Sequence, residues 1–268
     1  MKYSVLMSVY YSDNPDYLKQ AIDSMLSQTV KPDEIILVCD GPLTPQLDDV
    51  VHEYEGRLCP VPLKENRGLG EAMNIGLQHC RNELVARMDS DDISLPDRCE
   101  RQLGAFRNDP ALGIISGTIE EFSDLTGEVM RKRKLPSEHE EIVAFSRRRC
   151  PFNHPAVMYK KSAVIAAGGY TERFHYNEDY DLWFRMLKNG TKSGNLPQVL
   201  VKMRVTDGSY RRRGGREYAG MSLRFYGHMR KSGWISRRDY VCSALPQAVV
   251  CMLPNGMRKA VYQILRSN

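Results

Sequence analysis

The 268-residue sequence has no C-x-x-C pair, and its seven cysteines (39, 59, 80, 99, 150, 242 and 251) are scattered and odd in number. That spacing points away from a zinc site and from a disulfide framework. The expectation is a reducing, cytosolic compartment with mostly buried free thiols. No uninterrupted apolar run reaches the roughly 18 residues of a membrane-spanning helix. The opening stretch Met1–Val9 is short and runs at once into the polar Tyr10–Asp16, so no signal peptide is expected. Internal repeats and low-complexity stretches are missing too. With 42% hydrophobic and 26% charged residues, the chain reads as a folded globular protein, one large domain with an appendage. Acid is scarce towards the C-terminus. Residues 202–268 carry 14 Lys or Arg against 3 Asp or Glu, a net +11 in a chain of net +5, which leaves −6 for residues 1–201. A basic tail on an acidic body suits an anionic partner: a phospholipid surface, a lipid pyrophosphate or a nucleic acid. It also suits a merely solvated surface. No nucleic-acid motif accompanies it, so no nucleic-acid partner is expected.

What is present is an alternation of strand and helix. Tyr3–Val9 reads as an apolar strand, and Asn14-Pro15 opens a helix with Leu18, Ile22, Met25 and Leu26 at helical spacing. Strands follow at Glu34–Cys39, Val61–Leu63, Leu84–Met88 and Leu112–Ser116, with helices at Leu47–Tyr54, Leu69–Cys80 and about Pro96–Asn108 between them. Units of this length imply an α/β fold with a mostly parallel sheet covered by helices on both faces. Ligands of such sheets bind at the carboxyl ends of the strands. Asp40, the run Asp89–Asp92 and Glu178-Asp179 are expected there. The second half is less regular: a hairpin of Thr118–Ser123 and Val129–Lys134, a strand at Ala156–Tyr159 and a helix at Tyr180–Lys188. Beyond Gly214-Gly215 helices are expected near Tyr218–Arg230, Ser236–Met252 and Gly256–Leu265, the second opened by a capping-box pattern at Ser236 and Asp239. The division is a catalytic domain over 1–214, with halves of about 1–116 and 117–214, and a basic helical tail over 215–268.

Asp89-Ser90-Asp91-Asp92 follows a buried strand. Clustered carboxylates repel, and a divalent cation that also holds substrate phosphates would relieve them. An acidic run that complements a helix N-terminus is the plainer reading. Asp40 ends the second strand, where a carboxylate can accept a base N–H or simply make an Asp-Gly turn. In Asn66-Arg67-Gly68-Leu69-Gly70 the glycines allow close backbone approach and Arg67 offers charge to a diphosphate, or the loop is a glycine cap. Glu178 and Asp179 precede an amphipathic helix; they serve its N-terminus, or one is a general base acting on a hydroxyl. His154, in Phe152-Asn153-His154-Pro155, lines the same pocket or is structural.

Taken in order, SVLMSVYYSDNPDYLKQAIDSMLSQT, PDEIILVCDG, ENRGLGEAMNIGL, ARMDSDDISLPDR, HPAVMYKKS and NEDYDLWFRM resemble the family 2 glycosyltransferases. The resemblance covers about residues 2–210 and is nearest to bacterial members that build O-antigen or capsular polysaccharide. It implies the GT-A fold, a Rossmann-like α/β arrangement, here with a C-terminal helical appendage. It also implies an inverting transfer from a UDP-sugar, a UDP-hexose of glucose or galactose, to a saccharide such as a sugar on undecaprenyl pyrophosphate. Carried over by position, Ser8, Val9 and Tyr10 line the nucleotide, Asp40 meets the base, and Arg67 and Gly68 belong to the nucleotide loop. Asp89, Ser90 and Asp91 form the D-x-D step, with Asp91 and Asp89 at a Mn²⁺ or Mg²⁺ ion. Asp179, beside Glu178, is the catalytic base. His154, Trp183, Arg204 and Arg211 are candidates for acceptor or diphosphate contacts. One departure stands out: Thr206 occupies the place where many relatives carry a His, so the diphosphate contact is assigned to Arg204 or to a lid around Arg211-Arg212-Arg213. The tail's placement is open between an anionic membrane on the inner face of the plasma membrane and packing on the domain. The alternative function is a sugar-nucleotide or carbohydrate-binding module of the same fold without activity.

Overall fold

The computed structural model describes residues 1–174, 176–206, 214–254, 256–258 and 261. Four parallel strands form one side of the sheet: β1 (Tyr3–Val9), β2 (Glu34–Cys39), β3 (Cys59–Pro62) and β4 (Leu84–Arg87), in the order β3-β2-β1-β4. They alternate with α1 (Pro15–Leu26), α2 (Pro45–Glu53) and α3 (Leu69–His79). The helix starts follow local chemistry. Asn14 accepts hydrogen bonds from the amides of Asp16 and Tyr17, and Thr44 accepts one from Leu47, each just ahead of a proline in the first turn.

Because strand side chains alternate, the apolar runs feed two cores. Val5, Met7, Val9, Ile35 and Leu37 meet Leu18, Ile22 and Met25 of α1 and Leu47 of α2 on one face. Leu6, Ile36 and Val38 meet Ala72, Met73 and Leu77 of α3 on the other. Helix α3 lies so close that a Cβ on Gly76 would come within 2.4 Å of Leu6 and 2.6 Å of Val38.

The remaining sheet is mixed. It holds β5 (Ile93–Ser94), β6 (Leu112–Ser123), β7 (Val129–Arg133), β8 (Met158–Lys160) and β9 (Lys192–Val205). Strand β8 lies antiparallel between β4 and β6, β6 runs parallel to β9, β5 pairs antiparallel with β9, and β7 forms the expected hairpin with β6. Helices α4 (Arg98–Asn108), α5 (His139–Phe145), α6 (Lys161–Ala166) and α7 (Glu178–Lys188) complete this part. The sequence reading did not anticipate β5, α5, α6 or β9. The two helices are seven and six residues long, too short to show a period. The pattern KSGNLPQVLVKMRV of β9 is interrupted by Gly194 and Pro197, and its register with β6 shifts around Gly117-Thr118.

The tail forms α8 (Arg216–Lys231) and α9 (Arg237–Met252), the latter opened by the Ser236–Asp239 capping box. Most of the expected Gly256–Leu265 helix lies outside the described residues. Helix α8 packs on the domain: Phe225, Tyr226 and Met229 join Phe174, Tyr180 and Phe184 in one apolar cluster with Ile235 and Ala244. Helix α7 is therefore covered twice, because its Leu182, Trp183 and Met186 sit in the sheet core.

Candidate active site

The ends of β1, β2 and β4 lie side by side, since these strands are neighbours in the sheet. At the end of β2 the Asp40 amide donates to Val9 O at 2.8 Å. The Asp40 carboxylate is buried and accepts the amides of Arg67 (2.7 Å) and Gly68 (3.0 Å). This clamps the loop before α3 over the strand ends. The turn needs Gly41: its φ is +87°, and a Cβ there would stand 2.7 Å from the Asn66 amide nitrogen. Each carboxylate oxygen can accept a second hydrogen bond, so Asp40 keeps capacity for a further N–H donor. Asn66 and Arg67 border an open, polar cleft of about 530 Å³ that Glu71 and Glu172 also line.

At the end of β1, Ser8 is half-buried and the Tyr10 amide donates to Asp13 Oδ2 at 3.2 Å. The same oxygen accepts Ser90 Oγ at 2.9 Å. Asp13 thus ties the turn after β1 to the acidic turn after β4.

That turn carries three carboxylates over two buried guanidinium groups. Arg87 is 1% exposed and forms an ion pair with Asp89. Arg98, fully buried, donates to Arg87 O at 2.6 Å and to Val157 O at 3.2 Å. Burial on its own would raise the Asp89 carboxyl, but Arg87, with His154 and Arg98 behind it, holds it below the ordinary carboxylate range. Asp92 moves the other way: burial first, then the charges of Asp89 and Asp91, push it well above that range. Its Oδ1 accepts the Arg204 amide at 2.8 Å.

On the far side stands α7. The sequence reading expected Glu178 and Asp179 at the carboxyl end of a strand. Instead they begin a helix, and the preceding strand β8 ended at Lys160. Their position is fixed by long-range contacts. Asn74 of α3 accepts the Tyr170 amide at 2.8 Å and donates to its carbonyl at 2.9 Å, holding the segment that leads to α7.

The acids of α7 divide. Asp181 is buried and bound by Arg185 and the Thr171 hydroxyl, a structural ion pair. Asp179 Oδ2 lies 2.7 Å from His154 Nδ1, and the other His154 nitrogen lies 4.0 Å from Asp89 Oδ1. Asp179 Oδ1 is enclosed and has no hydrogen-bond partner. His154 begins a 3-10 turn ahead of β8, the strand beside β4, which brings it between the two acids. Glu178 is half-buried, near Gly70 of α3.

Other expected residues fall elsewhere. Trp183 is wholly buried among Phe152, Tyr159 and Tyr170 and faces the core, not the cleft. Arg204 is committed to the protein: its guanidinium donates to Asp91 O (3.0 Å), Asp124 (2.8 Å) and Gln20 (2.8 Å) and stacks on the Tyr17 ring at 3.9 Å. It braces the acidic turn from β9 and leaves no N–H row facing the cleft for a diphosphate. Arg211, with the expected lid, lies outside the described residues. The sequence reading missed Arg87, Arg98 and Asp13. An arginine inside the apolar run LVARM, directly before the acidic run, was the available signal.

The fold and this set of strand-end acids define a glycosyltransferase with a GT-A fold. Staphylococcus aureus TarS 1-349 in complex with UDP-GlcNAc superposes with a TM-score of 0.62 at 18% identity, over 83% of this chain and 65% of that one. A longer TarS chain gives 0.57 at 20% identity, and there this chain spans only 40% of its length. The family model for Glycosyl transferase family 2 matches residues 4–167. This chain belongs to that family. It is 38% identical over 264 residues to the Escherichia coli UDP-Gal:alpha-D-GlcNAc-diphosphoundecaprenol beta-1,3-galactosyltransferase, covering 98% of this chain and 95% of that one. It is also 44% identical over 228 residues to an uncharacterized glycosyltransferase of Haemophilus influenzae, and 39% over 227 residues to the amylovoran biosynthesis glycosyltransferase AmsE of Erwinia amylovora. Each of these covers 84% of both chains.

Proposed function

We propose that this glycosyltransferase moves a hexose from a UDP-hexose, with inversion, onto a sugar carried by undecaprenyl diphosphate during surface-polysaccharide assembly. Support for the substrates comes from the near full-length similarity to the Escherichia coli galactosyltransferase, which puts UDP-galactose ahead of UDP-glucose as donor. The observation that carries the mechanism is the placement of Asp179: partly exposed at the start of α7, with Oδ2 2.7 Å from His154 Nδ1, whose other nitrogen lies 4.0 Å from Asp89.

In this reading Asp40, Arg67 and Gly68 receive the nucleotide. The acceptor hydroxyl donates to the accessible edge of the Asp179 carboxylate, whose side chain is 24% exposed, and the carboxylate takes its proton as the acceptor oxygen bonds to the anomeric carbon. The bond from that carbon to the diphosphate oxygen breaks on the opposite side, and UDP leaves. An α-linked donor then gives a β-linked product. His154 holds the Asp179 carboxylate in orientation.

The acidic turn fits a divalent cation, because it gathers the carboxylates of Asp89, Asp91 and Asp92 at one strand end, where burial and then the charges of Asp89 and Asp91 push Asp92 above the ordinary carboxylate range. Among the described residues no three His, Cys, Asp or Glu side chains form a metal cage. An ion bound there would draw the rest of its shell from water and phosphate oxygens. Asp91 and Asp89 would hold Mn²⁺ or Mg²⁺, which neutralises the departing diphosphate as a Lewis acid.

The test is turnover of UDP-galactose, UDP-glucose and UDP-GlcNAc with a GlcNAc-diphosphate-lipid acceptor and Mn²⁺, read by product mass and anomeric coupling. Acceptor-dependent, EDTA-sensitive formation of a β-linked hexoside is expected. An α-linked product would overturn the single displacement, and UDP binding with no turnover on any acceptor would favour a binding module.

A further inference from the structure

Helix α9 has two apolar sides, and the described residues cover only one of them. Ala244 joins the apolar cluster shared with α7 and α8, and Cys251 is buried as well. On the other side Val241 (52% exposed), Leu245 (45%), Val249 (63%) and Met252 (54%) face solvent together with Cys242 and Pro246. At 100° per residue these six side chains fall within about 140° of the helix circumference and run about 17 Å along its axis. From Val241 to Met252 every exposed side chain is apolar. Met257, 58% exposed, follows just beyond the helix. Scattered exposed apolar residues are ordinary, but a continuous stripe marks an interaction surface.

The charges around the stripe say what covers it. At its N-terminal end the corner between α8 and α9 exposes Arg230, Lys231, Arg237 and Arg238. The acid of α9, Asp239, is turned inward onto Ser236 and Arg148. Residues 240–268 contain no Asp or Glu. A second copy of the chain docked stripe to stripe would therefore bring cations to a surface with no acid to answer them. An anionic lipid surface answers both features, since its acyl boundary takes the apolar stripe and its phosphates take the cationic corner. Among the described residues no helix is long and apolar enough to cross a membrane, so α9 would lie along the surface.

We propose that α9 docks this protein on an anionic phospholipid bilayer, with Val241, Leu245, Val249 and Met252 inserted and the α8–α9 corner against the headgroups. Because α8 packs directly on α7, the docking surface is built onto the helix that carries Asp179. The use of such docking, to reach a lipid-linked acceptor, rests on the function proposed above; the docking itself does not.

The experiment is co-sedimentation of the full chain with vesicles of phosphatidylethanolamine and phosphatidylglycerol, against vesicles of phosphatidylcholine alone. It needs neither donor nor acceptor, so it can fail independently of the transfer assay. Retention on the anionic vesicles is expected, weakening as salt screens the cations. Leu245→Glu and Val249→Glu should each reduce it about tenfold or more. Arg237→Ser with Arg238→Ser should weaken it while leaving the apolar stripe in place. All four positions are exposed, and UDP binding by each variant checks that the fold is kept. Equal retention of wild type and the two Glu variants, or no retention of wild type, overturns the proposal. So does a wild-type dimer that Leu245→Glu converts to monomer without any vesicle binding, which would make the stripe a self-association face.

Discussion

The proposed donor side and the proposed acceptor side of the site are held by different means. On the donor side the carboxylates sit at the ends of parallel strands, held by backbone amides at Asp40 and by Arg87 of the same strand at Asp89. Asp40 is held by the amides of Arg67 and Gly68, and the turn after β4 follows directly from the sheet. On the acceptor side Asp179 is set by side chains from distant segments: His154, Asn74 through Tyr170, and the aromatic cluster shared with α8. Local structure delivers the first geometry, while the second exists only once tertiary packing is complete. Losses on the donor side should therefore be chemical and confined, and losses on the acceptor side should spread.

The sharpest test lies within α7. Asp179→Asn should lower kcat by about 10²–10⁴-fold with UDP binding and melting temperature near normal. Asp181→Asn, two residues on, should instead destabilise the protein by about 3 kcal/mol, because Arg185 loses its buried partner. Calorimetry beside steady-state kinetics separates the two, and a matching kcat loss without destabilisation in Asp181→Asn would break the division.

Arg204 braces the acidic turn from β9 and reaches Gln20 of α1. Arg204→Met should reduce stability by about 2–4 kcal/mol in denaturant unfolding and lower turnover as the turn loosens. His154→Gln should reduce kcat by about ten- to a hundredfold, the scale for a group that acts by orienting another. An unchanged kcat would remove His154 from the site.

The smallest effect concerns Asp92. Its carboxyl is raised above its unfolded value, so the folded protein holds an extra proton between those two values and stability falls as pH rises through that window. Asp92→Asn keeps an oxygen for the Arg204 amide and removes the repulsion. Thermal melts above the raised value should show a gain of about 1 kcal/mol, roughly 2–4 °C, with no gain at pH below the unfolded carboxylate value.

The same contrast explains what was readable in the sequence. Strands β1, β2 and β4 are short apolar runs ending in acid, so fold and donor carboxylates were visible together. The pairing of Asp179 with His154 was not, because residues 25 apart in the chain meet only through the position of β8 beside β4. Trp183 and Arg204 looked available because their types suit sugars and phosphates. Their neighbours in space, Phe152 and Tyr159 for one and Asp124 and Gln20 for the other, lie far off in sequence.

The double covering of α7 bears on how the protein is made. Helix α7 leaves the ribosome well before Phe225, Tyr226 and Met229, which close over Tyr180 and Phe184. A chain cut short between β9 and α8 would carry every candidate catalytic carboxylate yet expose an aromatic wall. It would be a client for chaperones and proteases before it could waste nucleotide sugar by hydrolysis.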